Sequence, residues 1–257
     1  MRTLAMIVRQ VHYENRAFWR NPAAAFFTFV FPLMFLVIFN VFFGNEDIEV
    51  RGGTAKASTF FVPAITALSV ITACYTNVAM TVTYSRDQGV LKRIRGTPLP
   101  ASVYLAGRIV NAVLIGILLV VIVVAFGAVF YGVSLPTNTA PAFLVTLAVG
   151  AAAFSALGLA ITGFISNAEA APAVVNFSVL PLMFISDIFL DADAAPEWVQ
   201  SVASFFPLKH FSEALQTAFN PFETGAGFEL DRLAVMAAWG IAGVLIAVKK
   251  FEWEPRR

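Results

Sequence analysis

The sequence predicts an all-α membrane protein with six transmembrane helices, and three observations support that prediction. Of the 257 residues, 59% are hydrophobic and only 13% are charged, whereas about 25% of a typical soluble domain is charged. Six apolar runs are long enough to cross a bilayer, which takes about 20 helical residues. Basic residues concentrate between alternate runs, as in loops that stay cytoplasmic. Because no repeat or linker divides the chain, residues 1–257 are expected to form a single transmembrane domain.

Residues 1–22 are expected to form an amphipathic helix that lies in the membrane interface. One face is apolar, with Leu4, Ile7, Val8 and Val11. Another face is basic, with Arg2, Arg9, Arg16 and Arg20. Such a helix lies at the level of the lipid headgroups, and the Asn21-Pro22 pair ends it before the first span. The charged region is too long for a cleaved signal peptide.

The predicted spans cover residues 23–43, 58–83, 103–131, 141–165, 171–190 and 233–248. An even number of spans returns both termini to one side of the membrane. With that side in the cytoplasm, only four of the 17 basic residues lie outside, namely Arg51, Lys56, Lys209 and Arg232. The inside set includes the C-terminal Arg256 and Arg257. This distribution agrees with the positive-inside rule, so both termini are predicted to be cytoplasmic.

Small residues recur four positions apart in two of the predicted spans. They are Ala152, Ala156 and Ala160 in the fourth span and Gly243 and Ala247 in the sixth. Small side chains let helices approach closely in lipid, so these faces are expected to be buried in helix contacts.

The most basic internal loop is residues 84–100, with the sequence YSRDQGVLKRIRGTPLP. Its basic residues are Arg86, Lys92, Arg93 and Arg95, and its single acid is Asp87. Val90, Leu91 and Ile94 fall at helical spacing, and the Gly-Thr-Pro that follows stops a helix. A short cytosolic helix is therefore expected. Composition alone leaves open a loop whose arginines only fix the topology.

Residues 191–232 form the longest segment predicted outside the membrane. Pro196-Glu197-Trp198 opens a helix-like piece through Phe206, Pro207 breaks it, and an amphipathic piece follows. Two short helices are expected to lie in the outer interface or to dip partly into it. The other outer segments, 44–57 and 132–140, are too short for folded domains and are expected to be loops.

No motif for catalysis or nucleotide binding occurs in the sequence. A phosphate-binding GxxxxGK[ST] loop is absent, and so are HExxH and GxSxG. The only histidines, His12 and His210, are predicted on opposite sides of the membrane, and the single cysteine, Cys74, is expected in the core. The chain is therefore expected to be no enzyme and to hold no cofactor or metal. Its net charge of +1 gives no basic patch for a nucleic acid.

Asp187 is the one acid that falls inside a predicted span. It lies about one helical turn, or roughly 5 Å, from the outer end of the fifth span. There it would bind a cationic substrate group at an outer vestibule, or reach the interface with Asp191 and Asp193. Carriers driven by protons or sodium usually have carboxylates in mid-span. The spans of this chain are nearly free of charge.

Two stretches resemble a known transporter family. RDQGVLKRIRGTPLP at 86–100 resembles the coupling-helix loop in permease subunits of the second ABC exporter family, which includes drug-resistance permeases and polysaccharide exporters. PLMFISDIFL at 181–190, followed by PEWV and FPLKHFSEAL, is similar to the family signature from the fifth span into the extracellular helices. The resemblance covers the whole chain. It departs at Asp187, where the family commonly has glycine, and near Leu190 or Asp191, where proline is frequent.

The resemblance implies partners and roles that the residues alone do not. Two such subunits, here expected to be identical, would pair in a prokaryotic plasma membrane among its lipids. Each would dock on a separate ABC ATPase subunit that binds ATP and magnesium. The loop would then pass nucleotide-driven closure to the spans. Gly89 would permit a bend or a close approach, and Val90, Leu91 and Ile94 would enter an apolar groove of the ATPase. An acidic rim would receive Arg86, Lys92, Arg93 and Arg95.

The sequence therefore predicts a permease subunit of an ATP-driven exporter. The expected substrate is a small amphiphilic or lipophilic molecule, such as a drug or a lipid-like compound, that moves outward. A polysaccharide or glycolipid exporter shares this layout and stays open. Outside the class, an ion-coupled carrier would work without an ATPase, and a scaffold or sensor would show no substrate-dependent ATPase stimulation.

Overall fold

A computed structural model describes residues 2–44, 46–189 and 196–254 of the chain. The predicted cytoplasmic residues Arg256 and Arg257 lie outside the described residues, as do Asp191 and Asp193. Most of the described part is helical, in agreement with the predicted all-α class. It also contains one small β-hairpin.

The elements run in chain order as follows. They are α1 Arg2–Trp19, α2 Pro22–Phe43, β1 Asp47–Val50, β2 Gly53–Lys56, α3 Ser58–Ile71, a π-helical turn Thr72–Thr76, α4 Asn77–Asp87, α5 Val90–Arg95, α6 Ala101–Tyr131, α7 Ala140–Thr162, α8 Ala171–Phe184, α9 Glu197–Phe205, α10 Pro207–Phe219 and α11 Leu230–Lys250.

Five helical segments in the described part are long and apolar enough to span a membrane. They are Ala25–Phe43, Ser58–Asp87, Ser102–Tyr131, Ala140–Thr162 and Leu230–Lys250. These correspond to five of the six predicted spans, so the multi-span membrane fold is confirmed. The count of six is not.

The predicted fifth span is shorter than expected. Helix α8 has 14 residues, or about 21 Å of helix against a hydrocarbon core of about 30 Å. The chain leaves the helix after Phe184, and Asp187 has a left-handed φ of 56°. Ser and Asp side chains offer the backbone hydrogen-bonding alternatives to a helix, which favours a break at Ser186-Asp187.

The most buried span is the continuous segment Ser58–Asp87, which forms the centre of the fold. Its π-helical turn brings the backbone carbonyl of Tyr75 against Gly158 of α7, where an added Cβ would lie 2.7 Å from that oxygen. The Tyr75 hydroxyl is 2.6 Å from the Ser178 hydroxyl of α8. Cys74 is buried in the same turn, as expected. The turn therefore joins α7 and α8 to the central span.

Helices α7 and α11 pack closely through small residues, as their spacing predicted. A Cβ added to Gly243 would lie 3.0 Å from the backbone of Ala156. Ala156, Ala160 and Ala247 are all buried. Ala152 is exposed, so this residue does not belong to the contact.

Helix α1 lies along the first part of α6. Gln10 packs over Gly107, where an added Cβ would lie 2.3 Å from Gln10 Cγ. Leu4 and Val8 are 68% and 62% exposed, so their apolar face points away from the protein. An outward apolar face suits a helix that lies in the interface.

The outer segment contains the two expected helices, but only one of them is superficial. Trp198 and Phe205 of α9 are exposed, whereas Phe211 and Leu215 of α10 are fully buried. Helix α10 packs against α3, α7 and α11. The two expected helices are therefore present, and α10 packs into the protein core whereas α9 lies on its surface.

The segment 44–57, expected to be a loop, contains a two-stranded antiparallel hairpin. Gly52 occupies the turn with a φ of 98°, a region that glycine enters without the steric penalty of a Cβ. The Asn220 side-chain amide donates to the Arg51 carbonyl oxygen at 2.8 Å. This bond connects the hairpin to the end of α10.

Candidate coupling surface and outer cavity

The loop between the second and third spans contains a short helix, as expected. Helix α4 ends at Asp87, and α5 runs from Val90 to Arg95. Between them Gly89 has a φ of 70°. No atom of the described residues lies within 4 Å of a Cβ added there, so within its own chain the glycine provides a bend. A close approach of the partner at Gly89 stays a prediction.

Leu91 points into the protein. It is fully buried in a cluster with Val78 and Val82 of α4 and Tyr104 of α6. The expectation that Leu91 enters a groove of a partner is therefore corrected, because its side chain already fills a pocket of its own chain. Leu91 fixes α5 to the spans.

Arg86 is also internal, with an exposed fraction of 1%. Its guanidinium donates to the carbonyl oxygens of Thr162 and Ile165, at 2.8 and 2.5 Å. The Thr162 oxygen belongs to the last residue of α7, where a cation stabilises the helix dipole, and the Ile165 oxygen belongs to the segment that follows. The next residue, Asp87, accepts a hydrogen bond from the backbone of Ala168 at 3.2 Å. The expectation that Arg86 meets an acidic rim is thus corrected: it connects α4 to the α7–α8 loop.

The basic residues of α5 face outward, and Ile94 packs partly against the cluster around Leu91. Lys92, Arg93 and Arg95 are exposed, and Val90 and Ile94 are half-buried. Lys92 lies 4.0 Å from Glu254, but both side chains are mostly exposed, so the pair contributes little. The result is a basic surface with two partly accessible apolar side chains.

The segment after α11 packs beside α5, a contact that sequence reasoning missed. Phe251 and Trp253 pack against the cluster that contains Leu91, with their rings 4.9 Å apart. Two aromatic residues after the last basic pair of the final span were the available signal. The C-terminal segment therefore supports the same surface.

A cavity of about 720 Å³ lies at the opposite end, between the hairpin, α3, α10 and the start of α11. Five phenylalanines line it, namely Phe39, Phe43, Phe60, Phe61 and Phe189. Phe39 and Phe61 stack with ring centres 5.2 Å apart. Six charged residues also line it, namely Glu46, Glu49, Arg51, Asp187, Glu213 and Arg232. Four carboxylates against two guanidinium groups make the lining acidic.

Asp187 lies in the wall of this outer cavity and is 4% exposed. Its carbonyl oxygen accepts hydrogen bonds from Ser212 Oγ and Gln216 Nε2, at 2.9 and 3.1 Å. The expected position inside a helical span is corrected, because Asp187 belongs to the turn after α8. The contacts from α10 hold that turn in place.

A network of ion pairs surrounds the cavity, and sequence reasoning did not find it. Arg232 pairs with both Glu213 and Glu229. Arg51 lies 3.7 Å from Glu229, and Lys209 lies 3.7 Å from Glu213. The spacing of Lys209 with Glu213 and of Glu229 with Arg232 was the local signal. The network connects the hairpin, α10 and α11.

Among the described residues, no three His, Cys, Asp or Glu side chains come together as metal ligands would.

Comparison with known proteins gives one family match. The sequence profile described as "ABC-2 type transporter" matches residues 5–220. The chain is 23% identical over 206 residues to "Putative transport permease YvfS" of Bacillus subtilis, covering 80% of this chain and 82% of that one. It is 25% identical over 195 residues to "Inner membrane transport permease YadH" of Escherichia coli, covering 75% of each.

A third similar protein carries a more specific name. The chain is 26% identical over 209 residues to "Daunorubicin resistance ABC transporter permease protein DrrB1" of Streptomyces coeruleorubidus, covering 77% of this chain and 69% of that one.

Proposed function

The chain belongs to the ABC-2 type transporter family, and from this premise we propose that it exports small amphiphilic cations with ATP hydrolysed by a separate subunit. As a member, it is a multi-pass membrane permease subunit of an ABC transporter. The observation that carries the proposed substrate class is the outer cavity, whose lining combines phenylalanine side chains with an excess of carboxylates.

The size and chemistry of the outer cavity support a small substrate. A volume of about 720 Å³ lies within the usual range for small-molecule sites, roughly 300–1,000 Å³. Aromatic faces attract cations as well as apolar groups, and carboxylates such as Asp187 provide the opposite charge. This volume favours a drug or lipid-like molecule over the polysaccharide alternative. One relative is named for daunorubicin resistance, and resistance by transport requires outward movement.

The coupling contact is proposed to lie on the outward face of α5. In this proposal Val90 and Ile94 enter an apolar groove of the ATPase, and Lys92, Arg93 and Arg95 meet its acidic rim. Gly89 sets the angle of the helix. Arg86 and Leu91 act inside the chain, where they pass a displacement of α5 to the ends of α4 and α7. ATP and magnesium bind to the ATPase subunit.

The proposed setting is a prokaryotic plasma membrane, with both termini and α5 in the cytoplasm. Helices α1 and α5 lie on one side, because α2 and the continuous segment Ser58–Asp87 cross the membrane between them. The basic residues of both helices support a cytoplasmic position. The working unit is proposed to be a homodimer of single-domain subunits, surrounded by lipid, with two ATPase subunits.

Transport by the reconstituted complex tests the proposed substrate. Inside-out vesicles that contain the chain and its ATPase receive a fluorescent lipophilic cation, a neutral analogue of equal size or a labelled glycan, with ATP or with a nonhydrolysable analogue. ATP-dependent accumulation of the cation above that of the other two is expected. Accumulation under a proton or sodium gradient without ATP would contradict the proposal, and so would preference for the glycan.

A further inference from the structure

A second cavity of about 450 Å³ lies on the side of α1 and α5, between α1, α2, α4 and α6. Most of the residues that line it have polar side chains, among them Glu14, Asn77, Thr81, Ser85, Arg108 and Asn111. Ala17 and Tyr84 at its edge are exposed, so the cavity is open to the surface. A polar recess beside an interfacial helix lies at the level of lipid headgroups.

Arg108 supplies a cation with unused donor capacity. Its Nη2 donates to Ser85 Oγ at 2.7 Å, and its Nε lies 3.3 Å from Glu14 Oε1. Its Nη1 is buried and has no hydrogen-bond partner among the described residues. Buried donors are nearly always satisfied in native proteins, so Nη1 is suited to an anionic acceptor such as a phosphate.

Asn111 supplies an acceptor in the same cavity. It is 7% exposed, and its Oδ1 is buried with no hydrogen-bond partner in the described part of the chain. Asn111 follows Arg108 by three residues on α6, so both lie on one face of the helix. The amide oxygen and the Glu14 carboxylate are together suited to an ammonium group.

These observations describe a site for both charges of a zwitterion. We propose that this inner cavity binds the headgroup of a phospholipid with a primary ammonium group, such as phosphatidylethanolamine, taken from the leaflet that contains α1. The phosphate meets Arg108 Nη1, the ammonium meets Asn111 Oδ1 and Glu14, and the acyl chains leave through the open edge beside Ala17 and Tyr84. This site is separate from the outer cavity. The lipid is proposed to bind there whichever substrate is transported.

Lipid retention measured by native mass spectrometry tests this proposal. The delipidated chain in detergent receives phosphatidylethanolamine or phosphatidylglycerol of equal chain length. Asn111→Leu removes the acceptor and puts an apolar side chain in its place. Thr66→Val is the matched control, because Thr66 is buried outside the cavity and its hydroxyl bonds only to the Val62 carbonyl oxygen. Circular dichroism confirms that each variant is folded.

Wild type and Thr66→Val are expected to retain phosphatidylethanolamine about fivefold better than Asn111→Leu, the loss expected from one hydrogen bond. Phosphatidylglycerol, which has no ammonium group, is expected to bind more weakly to wild type. Equal retention of phosphatidylethanolamine by wild type and Asn111→Leu would contradict lipid binding in this cavity. Equal retention of both lipids by wild type would contradict recognition of a zwitterionic headgroup. Displacement of the lipid by equimolar soluble phosphoethanolamine would show that the cavity binds the free headgroup and not a membrane lipid.

A second variant keeps the test decisive if Asn111→Leu does not fold. Asn111→Asp preserves the side-chain size and the acceptor while adding a negative charge near the ammonium position. It is expected to retain phosphatidylethanolamine and to lose phosphatidylglycerol. The reverse preference would contradict the placement of the ammonium group at Asn111.

Discussion

Arg86 Nη1 donates to the carbonyl oxygen of Thr162 at 2.8 Å and so joins the end of α4 to the end of α7. The two residues lie 76 positions apart in sequence. Because only two residues separate the end of α4 from the start of α5, we propose that a displacement of α5 reaches α7 through this bond. The same guanidinium also donates to the Ile165 carbonyl oxygen, so one side chain satisfies the last carbonyl group of α7 and one in the segment that follows.

Replacement of Arg86 is expected to destabilise the protein. Arg86→Ala leaves the carbonyl groups of Thr162 and Ile165 without these bonds, and hydrogen bonds to charged groups contribute about 1.5–3 kcal/mol each. A thermal unfolding midpoint lowered by several degrees is expected. Arg93→Ala, on the exposed face of α5, is the control and should leave the midpoint unchanged. An unchanged midpoint in Arg86→Ala would show that the buried guanidinium does not stabilise the fold.

Substitution by aspartate is expected to have different effects at Leu91 and at Ile94. Leu91 is fully buried in its own chain, so Leu91→Asp should prevent folding, and Leu91→Ala should lower the free energy of unfolding by about 2–5 kcal/mol. Ile94 is half-buried, so Ile94→Asp should preserve folding and uncouple ATP hydrolysis from transport. Size-exclusion profiles show whether each variant is folded, and the amount of substrate transported per ATP hydrolysed shows whether it is coupled. A folded, uncoupled Leu91→Asp would show that Leu91 faces the partner.

Charge reversal on the outward face of α5 should weaken ATPase binding. Arg93→Glu replaces an attraction to an acidic rim with a repulsion, and salt screens such surface contacts. The dissociation constant should rise about tenfold at low salt and less at high salt. Lys56→Glu, on the opposite side of the membrane, is the control. Identical affinities of wild type and Arg93→Glu for the ATPase would contradict the proposed electrostatic contact.

Asp187 should influence discrimination by charge at the outer cavity. Asp187→Asn keeps the size of the side chain and removes its charge, so transport of a lipophilic cation should fall up to about fivefold relative to a neutral analogue, in line with one charge pair. Glu197→Gln, exposed on α9 and outside the cavity, is the control. If Asp187→Asn transports both substrates as wild type does, the carboxylate has no role in selectivity.

Two glycines should respond differently to an added methyl group. In Gly158→Ala the Cβ would lie 2.7 Å from the Tyr75 backbone oxygen, whereas in Gly116→Ala the nearest atom would be 3.5 Å away. Gly158→Ala is therefore expected to lower stability by about 1–3 kcal/mol, because backbone must move. Gly116→Ala should be nearly neutral. Equal thermal midpoints would contradict the close packing of the π-helical turn on α7.

The sequence predicted the spans well because their apolar length is a local property. Residues 23–43 and 103–131 needed only hydropathy, and the spacing of Ala156 and Gly243 was sufficient to predict a helix contact. The end of α8 was not predictable in this way. Asp187 leaves the helix at a point held by Ser212 and Gln216, which are 25 and 29 positions away.

The candidate sites were predictable in position and not in orientation. The pattern of α5 placed Val90, Leu91 and Ile94 on an apolar side, but it could not indicate whether their own chain or a partner covers each one. The cluster around Leu91 decides this, and it includes residues from α6, α7 and α11. The outer ion pairs likewise join segments as distant as Arg51 and Glu229.

Co-purification with an ATPase tests the proposed coupling most directly. The tagged chain is isolated in mild detergent from cells that contain its native partners, and the product is analysed by mass spectrometry and assayed for ATP hydrolysis. Wild type is expected to bring down an ABC ATPase and its activity, whereas folded Ile94→Asp with Arg93→Glu is expected to bring down neither. A complex that forms equally well with the double variant would contradict docking through the outward face of α5.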